Sequence, residues 1–237
     1  MLLEISGLRK RFGSVVAAET LDLALAPGEA LGIIGPNGAG KTTLFNLIAG
    51  RLSPDAGLIR FDSRDITRAK PHLRCAAGIG RTHQIPQPFE KLTVFENLLV
   101  GASSRGRSER EAAQCCGDIL DKLGLLGRAN QLAGSLTLLE RKRLELARAL
   151  ATSPRLLLLD EIAGGLTEAE CSELVATIRD IHQGGVAIIW IEHIVHALLA
   201  VVSRLLVLNF GRKIAEGEPR RVISSAEVRQ IYMGIEA

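Results

Sequence analysis

No run of this sequence approaches the roughly 18 to 20 apolar residues that a helix needs to cross a bilayer. The opening residues, Met1-Leu2-Leu3-Glu4-Ile5, lack the basic-then-apolar pattern of a secretory signal. Both absences point to a cytoplasmic protein whose attachment to a membrane comes through a partner. Cys75, Cys115, Cys116 and Cys171 show no C-x-x-C spacing and no clustered histidine, which argues against a metal site or a disulfide framework and for reduced packing thiols. The net charge is only +3 and the basic residues are scattered, so nucleic acid is not an expected partner. Internal repeats and low-complexity segments are missing as well.

What is present is a globular composition. With 47% hydrophobic and 23% charged residues, a chain of 237 residues can bury the core of one large α/β domain, or of a core with a small inserted lobe. Short apolar runs recur with helical patterns between them, the signature of an α/β fold with a largely parallel sheet. Leu21 to Leu25 alternates and reads as a half-exposed strand closed by Pro27-Gly28-Glu29. Ala30 to Ile34 reads as a buried strand, and Gly57 to Phe61 as a strand after the Ser53-Pro54-Asp55 turn. From about Thr93 to Ala151 the character turns helical. Thr93 and Glu96 form a capping pair for a helix starting at Val94, Ser103 to Arg107 reads as an exposed loop, and Glu109 to Leu123 as an amphipathic helix. Leu156-Leu157-Leu158-Leu159, bounded by Pro154-Arg155 and Asp160-Glu161, has the pattern of a central strand buried on both faces. A helix over Glu168 to Gln183, stopped by Gly184-Gly185, leads to strands at Val186 to Ile191 and Leu205 to Leu208. The expected division is a core of residues 1–92 and 152–210, a helical lobe of 93–151, and a C-terminal extension of 211–237, all within a single domain.

Gly35-Pro36-Asn37-Gly38-Ala39-Gly40-Lys41-Thr42-Thr43 matches G-x-x-x-x-G-K-[ST] between a predicted strand and a predicted helix. The glycines let the backbone turn its N–H groups onto an anion, and the helix N-terminus favours negative charge. Lys41 suits the β- and γ-phosphates and the Thr42 hydroxyl suits Mg²⁺. The motif therefore implies a bound nucleoside triphosphate. Asp160, at the end of the apolar run, is placed to hold Mg²⁺ directly or through water, and Glu161 to orient or activate an attacking water. His193, after the Ile188–Ile191 run, can donate a hydrogen bond to a γ-phosphate oxygen. Gln84 is a polar uncharged candidate for contact with Mg²⁺ or the attacking water, and it stands where the helical stretch opens. Phe12, in Lys10-Arg11-Phe12-Gly13, offers a ring on which a base can stack.

Taken in order, the phosphate loop, Gln84, Asp160-Glu161 and His193, with a helical lobe between, resemble the ATP-binding subunit of an ABC transporter over essentially the whole chain. Within that family the chain is most similar to the subunits that power branched-chain amino-acid uptake, through Arg81-Thr82-His83-Gln84-Ile85-Pro86, Leu92 to Gly101, Arg143 to Leu150, and Ala215-Glu216-Gly217. The resemblance implies a P-loop NTPase core of RecA type with an inserted helical subdomain and a small antiparallel β region. It implies ATP hydrolysis with Mg²⁺, and a head-to-tail pair of such domains in which each ATP lies between one chain's phosphate loop and the other's signature segment. Transmembrane permease subunits and a solute-binding protein are the implied partners, with the chain peripheral on the cytoplasmic face of the inner membrane.

The family's signature segment reads Leu-Ser-Gly-Gly-Gln, and Leu136-Thr137-Leu138-Leu139-Glu140 stands in its place. Thr137 and Glu140 still make a capping box. Leu139 replaces a glycine that permits close approach to phosphate, and Glu140 brings a negative charge toward an opposing γ-phosphate. A second, non-identical ABC ATPase subunit is therefore the expected partner, because this chain would serve a copy of itself poorly. Ile162 stands where the family usually has proline, and Thr167 where it often has a communicating Asp. The alternatives are an ATP-binding regulatory subunit with weak turnover, which the intact Glu161 and His193 oppose, and a soluble non-transport ABC ATPase, whose paired domains, coiled coils or basic extensions this chain lacks.

Overall fold

A computed structural model describes residues 1–103 and 106–233. The chain runs through β1 (Leu3–Phe12), β2 (Val15–Leu25), β3 (Ala30–Ile34), α1 (Lys41–Ile48), β4 (Ala56–Phe61), β5 (Arg64–Asp65), α2 (Pro71–Ala77) and β6 (Ile79–Arg81). Three helices follow, α3 (Val94–Ser103), α4 (Glu109–Lys122) and α5 (Leu138–Ala151). The chain then continues through β7 (Leu156–Asp160), α6 (Glu168–Gln183), β8 (Ala187–Ile191), α7 (Val195–Leu199), β9 (Arg204–Asn209), β10 (Arg212–Gly217), α8 (Pro219–Ser224) and α9 (Ala226–Met233).

Two sheets result. The larger has the order β10-β9-β3-β8-β7-β6 and is parallel except for β10, which returns antiparallel to β9. The smaller, β2-β1-β4-β5, is antiparallel throughout. Successive side chains on the parallel strands alternate between two cores, as the period of 2 requires. Leu156 and Leu158 of β7, with Ile189 and Ile191 of β8, join α1 and the antiparallel sheet in one core. Leu157, Leu159, Ile188 and Trp190 face the other, which also contains Leu98, Cys116, Leu120 and Leu144 from the three-helix stretch. Every residue of β3, β7 and β8 is buried, which is why these strands appear in the sequence as unbroken apolar runs.

Several local expectations are met by specific bonds. Thr93 and Glu96 cap α3 reciprocally, and Thr137 with Glu140 does the same for α5. The same box also closes α4 through Ser108 and Glu111 and α6 through Thr167 and Glu170, two caps not marked in advance. Other expectations need correction. Residues 104 and 105 of the expected loop at Ser103 to Arg107 lie outside the described residues, while Ser103 is still helical and the Arg107 guanidinium donates to the Ala151 carbonyl at 3.1 Å. The segment from 211, read as an extension, begins as edge strand β10 of the larger sheet. Its residues are half-buried or exposed, so no apolar alternation marks it. The strand expected at Leu21 to Leu25 is the end of an eleven-residue β2, and β1, β6, α2, α8 and α9 carried no legible signal.

The helix that opens at the phosphate loop is anchored at its far end by a buried cation. Arg74, 1% exposed, donates to the Leu47 and Ile48 carbonyls at 2.6 and 2.9 Å and to the Ala69 and Thr67 carbonyls, both at 2.9 Å. Burial pulls its pKa down to about 10, so it remains charged at neutral pH against the negative end of α1. Arg74→Met leaves those carbonyls unsatisfied and is expected to lower the urea-unfolding free energy by about 3 kcal/mol.

Candidate nucleotide-hydrolysis site

The loop between β3 and α1 is shaped by contacts that tolerate no side chain. A Cβ on Gly35 would lie 2.2 Å from the Leu208 carbonyl oxygen, and one on Gly40, at φ 99°, would lie 2.2 Å from that of Ala17. The loop is thereby seated against β2 and β9, and the Gly211 N–H ties it down through the Ala39 carbonyl at 2.9 Å. Asn37, Gly38 and Thr42 are exposed, Pro36, Gly40 and Thr43 half-buried, and Ala39 buried. Lys41 is 6% exposed and bends back over the loop, its Nζ donating to the Gly35 and Pro36 carbonyls at 2.6 and 3.0 Å. Burial pulls its pKa down, while Glu161 and Asp160 push it back up, so both carboxylates lie within electrostatic reach of this ammonium.

Those carboxylates stand at the end of β7. Asp160 is 4% exposed, its N–H donating to the Thr82 hydroxyl at 3.2 Å and its Oδ2 accepting from Arg81 at 2.9 Å. Glu161 turns into the left-handed region at φ 45°, where a side chain is strained, and is held by its N–H on the Ile191 carbonyl at 2.9 Å. The turn aims its carboxylate at two neighbours. Gln84 Nε2 donates to Glu161 Oε2 at 2.5 Å, and His193 Nε2 lies 3.0 Å from Oε1. Three residues read separately from the sequence thus meet on one carboxylate, each from the loop after a different parallel strand.

Phe12 lies away from this cluster, 46% exposed at the end of β1 and opposite Val15, with the Lys10 ammonium 5.5 Å from its ring centroid. It is joined to the loop through β2, which carries Val15 and also Ala17, the residue that abuts Gly40. Leu136 to Glu140 form the start of α5. Leu136 is buried, Thr137 is the N-cap, and Leu138 is 46% exposed. Glu140 is doubly engaged, accepting the Thr137 N–H at 2.9 Å and the Arg128 Nε at 3.0 Å. The Thr137 N–H, with Arg128, holds its carboxyl below the usual range despite partial burial.

Four charged residues near the site had no assigned role in the sequence reading. Glu192, 1% exposed, accepts the Ala163 and His193 N–H groups at 2.8 and 3.1 Å, and burial raises its pKa. Lys142, 3% exposed on α5, has its pKa lowered by burial, with Glu192 and Glu161 opposing. Arg81 bridges Asp160 and α1 through Asn46 Oδ1 at 2.6 Å. Glu145 takes the His83 ring at 2.7 Å and Arg148 at 3.1 Å, beside a cleft of about 310 Å³ also lined by Arg51, Val100 and Gly101. The available signal was a charged residue on an otherwise apolar helix face, as at Lys142 and Glu145.

Residues 18–164 match the model of the ABC transporter family. The chain belongs to that family. ABC relatives align along nearly its whole length. The branched-chain amino-acid transport ATP-binding protein BraF of Pseudomonas aeruginosa is 35% identical, with 98% of each chain covered. The lipopolysaccharide export system ATP-binding protein LptB of Acidithiobacillus ferridurans is 34% identical, covering 98% of this chain and 97% of its own. The ADP conformation of MJ1267, an ATP-binding cassette of an ABC transporter, superposes with a TM-score of 0.90 at 32% identity, covering 99% of each chain. This member of the ABC family is thus an ATP-binding subunit and an ATPase, built on the α/β architecture expected of it.

The site also fits its ligand. The glycine-shaped loop and the α1 N-terminus suit a phosphate chain, and Thr42, Gln84 and Asp160 offer the oxygen donors a hard cation requires. Among the described residues no group of three or more His, Cys, Asp or Glu could hold a metal.

Glu145 yields a pH prediction. Burial alone would raise its pKa, but the His83 hydrogen bond, the Arg148 and His83 charges and the Gln87 N–H outweigh it and leave the group below its ordinary 4.5. A carboxylate depressed in the folded state stabilises fully above its unfolded pKa and loses that contribution as pH falls through the folded one. Glu145→Gln should therefore cost about 2 kcal/mol at pH 7, and denaturant titrations should show the gap closing only below about pH 4.5.

Proposed function

We propose that this subunit hydrolyses Mg²⁺-ATP with Glu161 as the residue that orients and activates water, and that hydrolysis powers uptake of a branched-chain or similar small amino acid. The observation that carries the hydrolytic part is the convergence of Gln84, Glu161 and His193 beside the phosphate loop. Lys41, whose ammonium rests on the loop's own carbonyls, is the donor set to turn to the β- and γ-phosphates. His193 is placed to release Glu161 and donate to a γ-phosphate oxygen, and Gln84 to turn its amide toward the water or the cation. Thr42 and Asp160 are the proposed oxygen ligands of Mg²⁺, which when bound neutralises developing phosphate charge. Phe12 is assigned to the base and Gly35 to Thr43 to the phosphates.

Uptake of amino acids is favoured by the likeness to BraF and by the stretches quoted above, whereas LptB, equally similar over its length, serves export. Among the described residues no helix is long and apolar enough to cross a membrane, which suits a peripheral subunit working through permease partners and a solute-binding protein. The cleft at His83 and Glu145, next to the Gln84 loop and lined by exposed Val100 and by Arg148, whose guanidinium lies 4.9 Å from the ring centroid of exposed Phe89, is the proposed seat of a cytoplasmic helix of the permease.

The state of Leu136 to Glu140 supports a non-identical partner ATPase. Leu139 carries a side chain where close approach to phosphate is needed, and Glu140 brings a carboxylate. The phosphate loop of this chain would be completed by the partner's intact signature segment.

Two measurements bear on this. Glu161→Gln should lower kcat at least about 100-fold while ATP affinity, read by titration with a fluorescent ATP analogue, is retained. An unchanged kcat rejects Glu161 as the base. The chain purified alone should turn over at less than roughly a tenth of the rate of the native complex, and full activity as a homodimer rejects the asymmetric pairing. Copurification from native membranes with the solute-binding protein then identifies the solute.

A further inference from the structure

Arg81 is three residues ahead of Gln84, at the end of β6, and its side chain is 10% exposed. Its guanidinium is held on three sides. Nη2 donates to Asp160 Oδ2 at 2.9 Å, Nη1 to Asn46 Oδ1 at 2.6 Å, and Cζ lies 5.7 Å from the centroid of the Phe45 ring. Asn46 and Phe45 belong to the helix that the phosphate loop opens, so Arg81 ties that helix to the carboxylate at the end of β7. Its Nε is buried with no hydrogen-bond partner. A buried ion pair that leaves a donor orphaned is poorly explained by stability, since apolar substitutes of similar volume are often neutral or better. It does have an electrostatic consequence. A permanent positive charge engages one of the two oxygens of the carboxylate assigned to the cation, and it does so in a setting where water screens little.

We propose that Arg81 is a positioning residue of the cation site: it serves as a fixed counter-charge that competes with the divalent ion for Asp160 and holds the ion's affinity low enough for release after each turnover. The proposal rests on the reading of Asp160 as the cation-side carboxylate. With Arg81 in place the charge of the Asp160 carboxylate is largely offset, and the ion depends on nucleotide phosphates for most of its attraction. Cation and nucleotide are then retained together and lost together, since neither the carboxylate nor the Thr42 hydroxyl holds the ion alone. Asn46 fixes the guanidinium so that the counter-charge moves with the phosphate-binding helix.

The test is a Mn²⁺ titration of the ADP-saturated protein, followed by the electron paramagnetic resonance signal of free Mn²⁺. Arg81→Gln and Arg81→Met remove the charge, the first retaining a polar amide and the second an apolar side chain of similar length, and either one that unfolds cooperatively suffices. The apparent Kd for Mn²⁺ should fall about tenfold in the neutral variants and stay within about twofold of wild type in Arg81→Lys, which keeps the charge. A neutral variant that binds Mn²⁺ no more tightly than wild type overturns the proposal, and so does equal tightening in Arg81→Lys. Asp160→Asn is measured alongside. If it leaves wild-type Mn²⁺ affinity intact, the assignment of Asp160 fails and this proposal fails with it, an outcome distinct from an Arg81 that has no effect.

Discussion

Everything the site does depends on the register of the parallel strands. Ile33 of β3 is level with Ile191 of β8, which is level with Asp160 of β7, and Arg81 of β6 stands opposite Leu158. Strands that run the same way in register must end on the same edge. The loops leaving that edge are the phosphate loop, the Glu161 turn, the Glu192-His193 segment and the Arg81-to-Gln84 segment. Residues separated by more than a hundred positions, such as Lys41 and His193, are brought to one edge because the strands that precede them pair side by side. The requirement for dry, two-sided burial is what holds that register, because a slip of one residue would exchange the side chains of β7 between the two cores.

The charges assigned to the site at this edge have partners within the chain. Lys41 rests on loop carbonyls, Asp160 on Arg81, Glu161 on Gln84 and His193, and Glu192 on two backbone N–H groups. These bonds satisfy groups that would be costly to bury alone, yet each is one that a phosphate, a cation or a water can replace. The arrangement therefore stores its binding capacity in side chains already ordered near their working positions. Glu161 adds backbone strain at the point where the chemistry is assigned, and the fold supports it through the Ile191 carbonyl.

The three-helix stretch is not sealed off from this edge. It shares one hydrophobic core with the parallel sheet, and α5 passes from Leu138, beside Gly165 and the turn after Glu161, to Ala149 against β6. Lys142 and Glu145, on that same helix, face Glu192 and His83 respectively. A displacement of α5 is thus felt at both flanks of the site through buried charge, in a region where the dielectric is low.

Local patterns in the chain were sufficient for the phosphate loop, the buried runs of β3, β7 and β8, the caps of α3 and α5 and the family itself, because each depends on neighbours within a few residues or on near-continuous burial. The weakly patterned pieces escaped notice. Edge strand β10 is half-solvated, β6 is three residues long, and β1 carries bulges that break its alternation. The membership of the site was likewise legible residue by residue, as Gln84, Asp160, Glu161 and His193, but not its wiring. That Glu161 gathers Gln84 and His193, that Arg81 occupies Asp160, and that Arg74 clasps the end of α1 are long-range pairings of charge and lone pair. No local propensity encodes such pairings, and only the packed sheet, by excluding water and aligning strand ends, decides which partners meet.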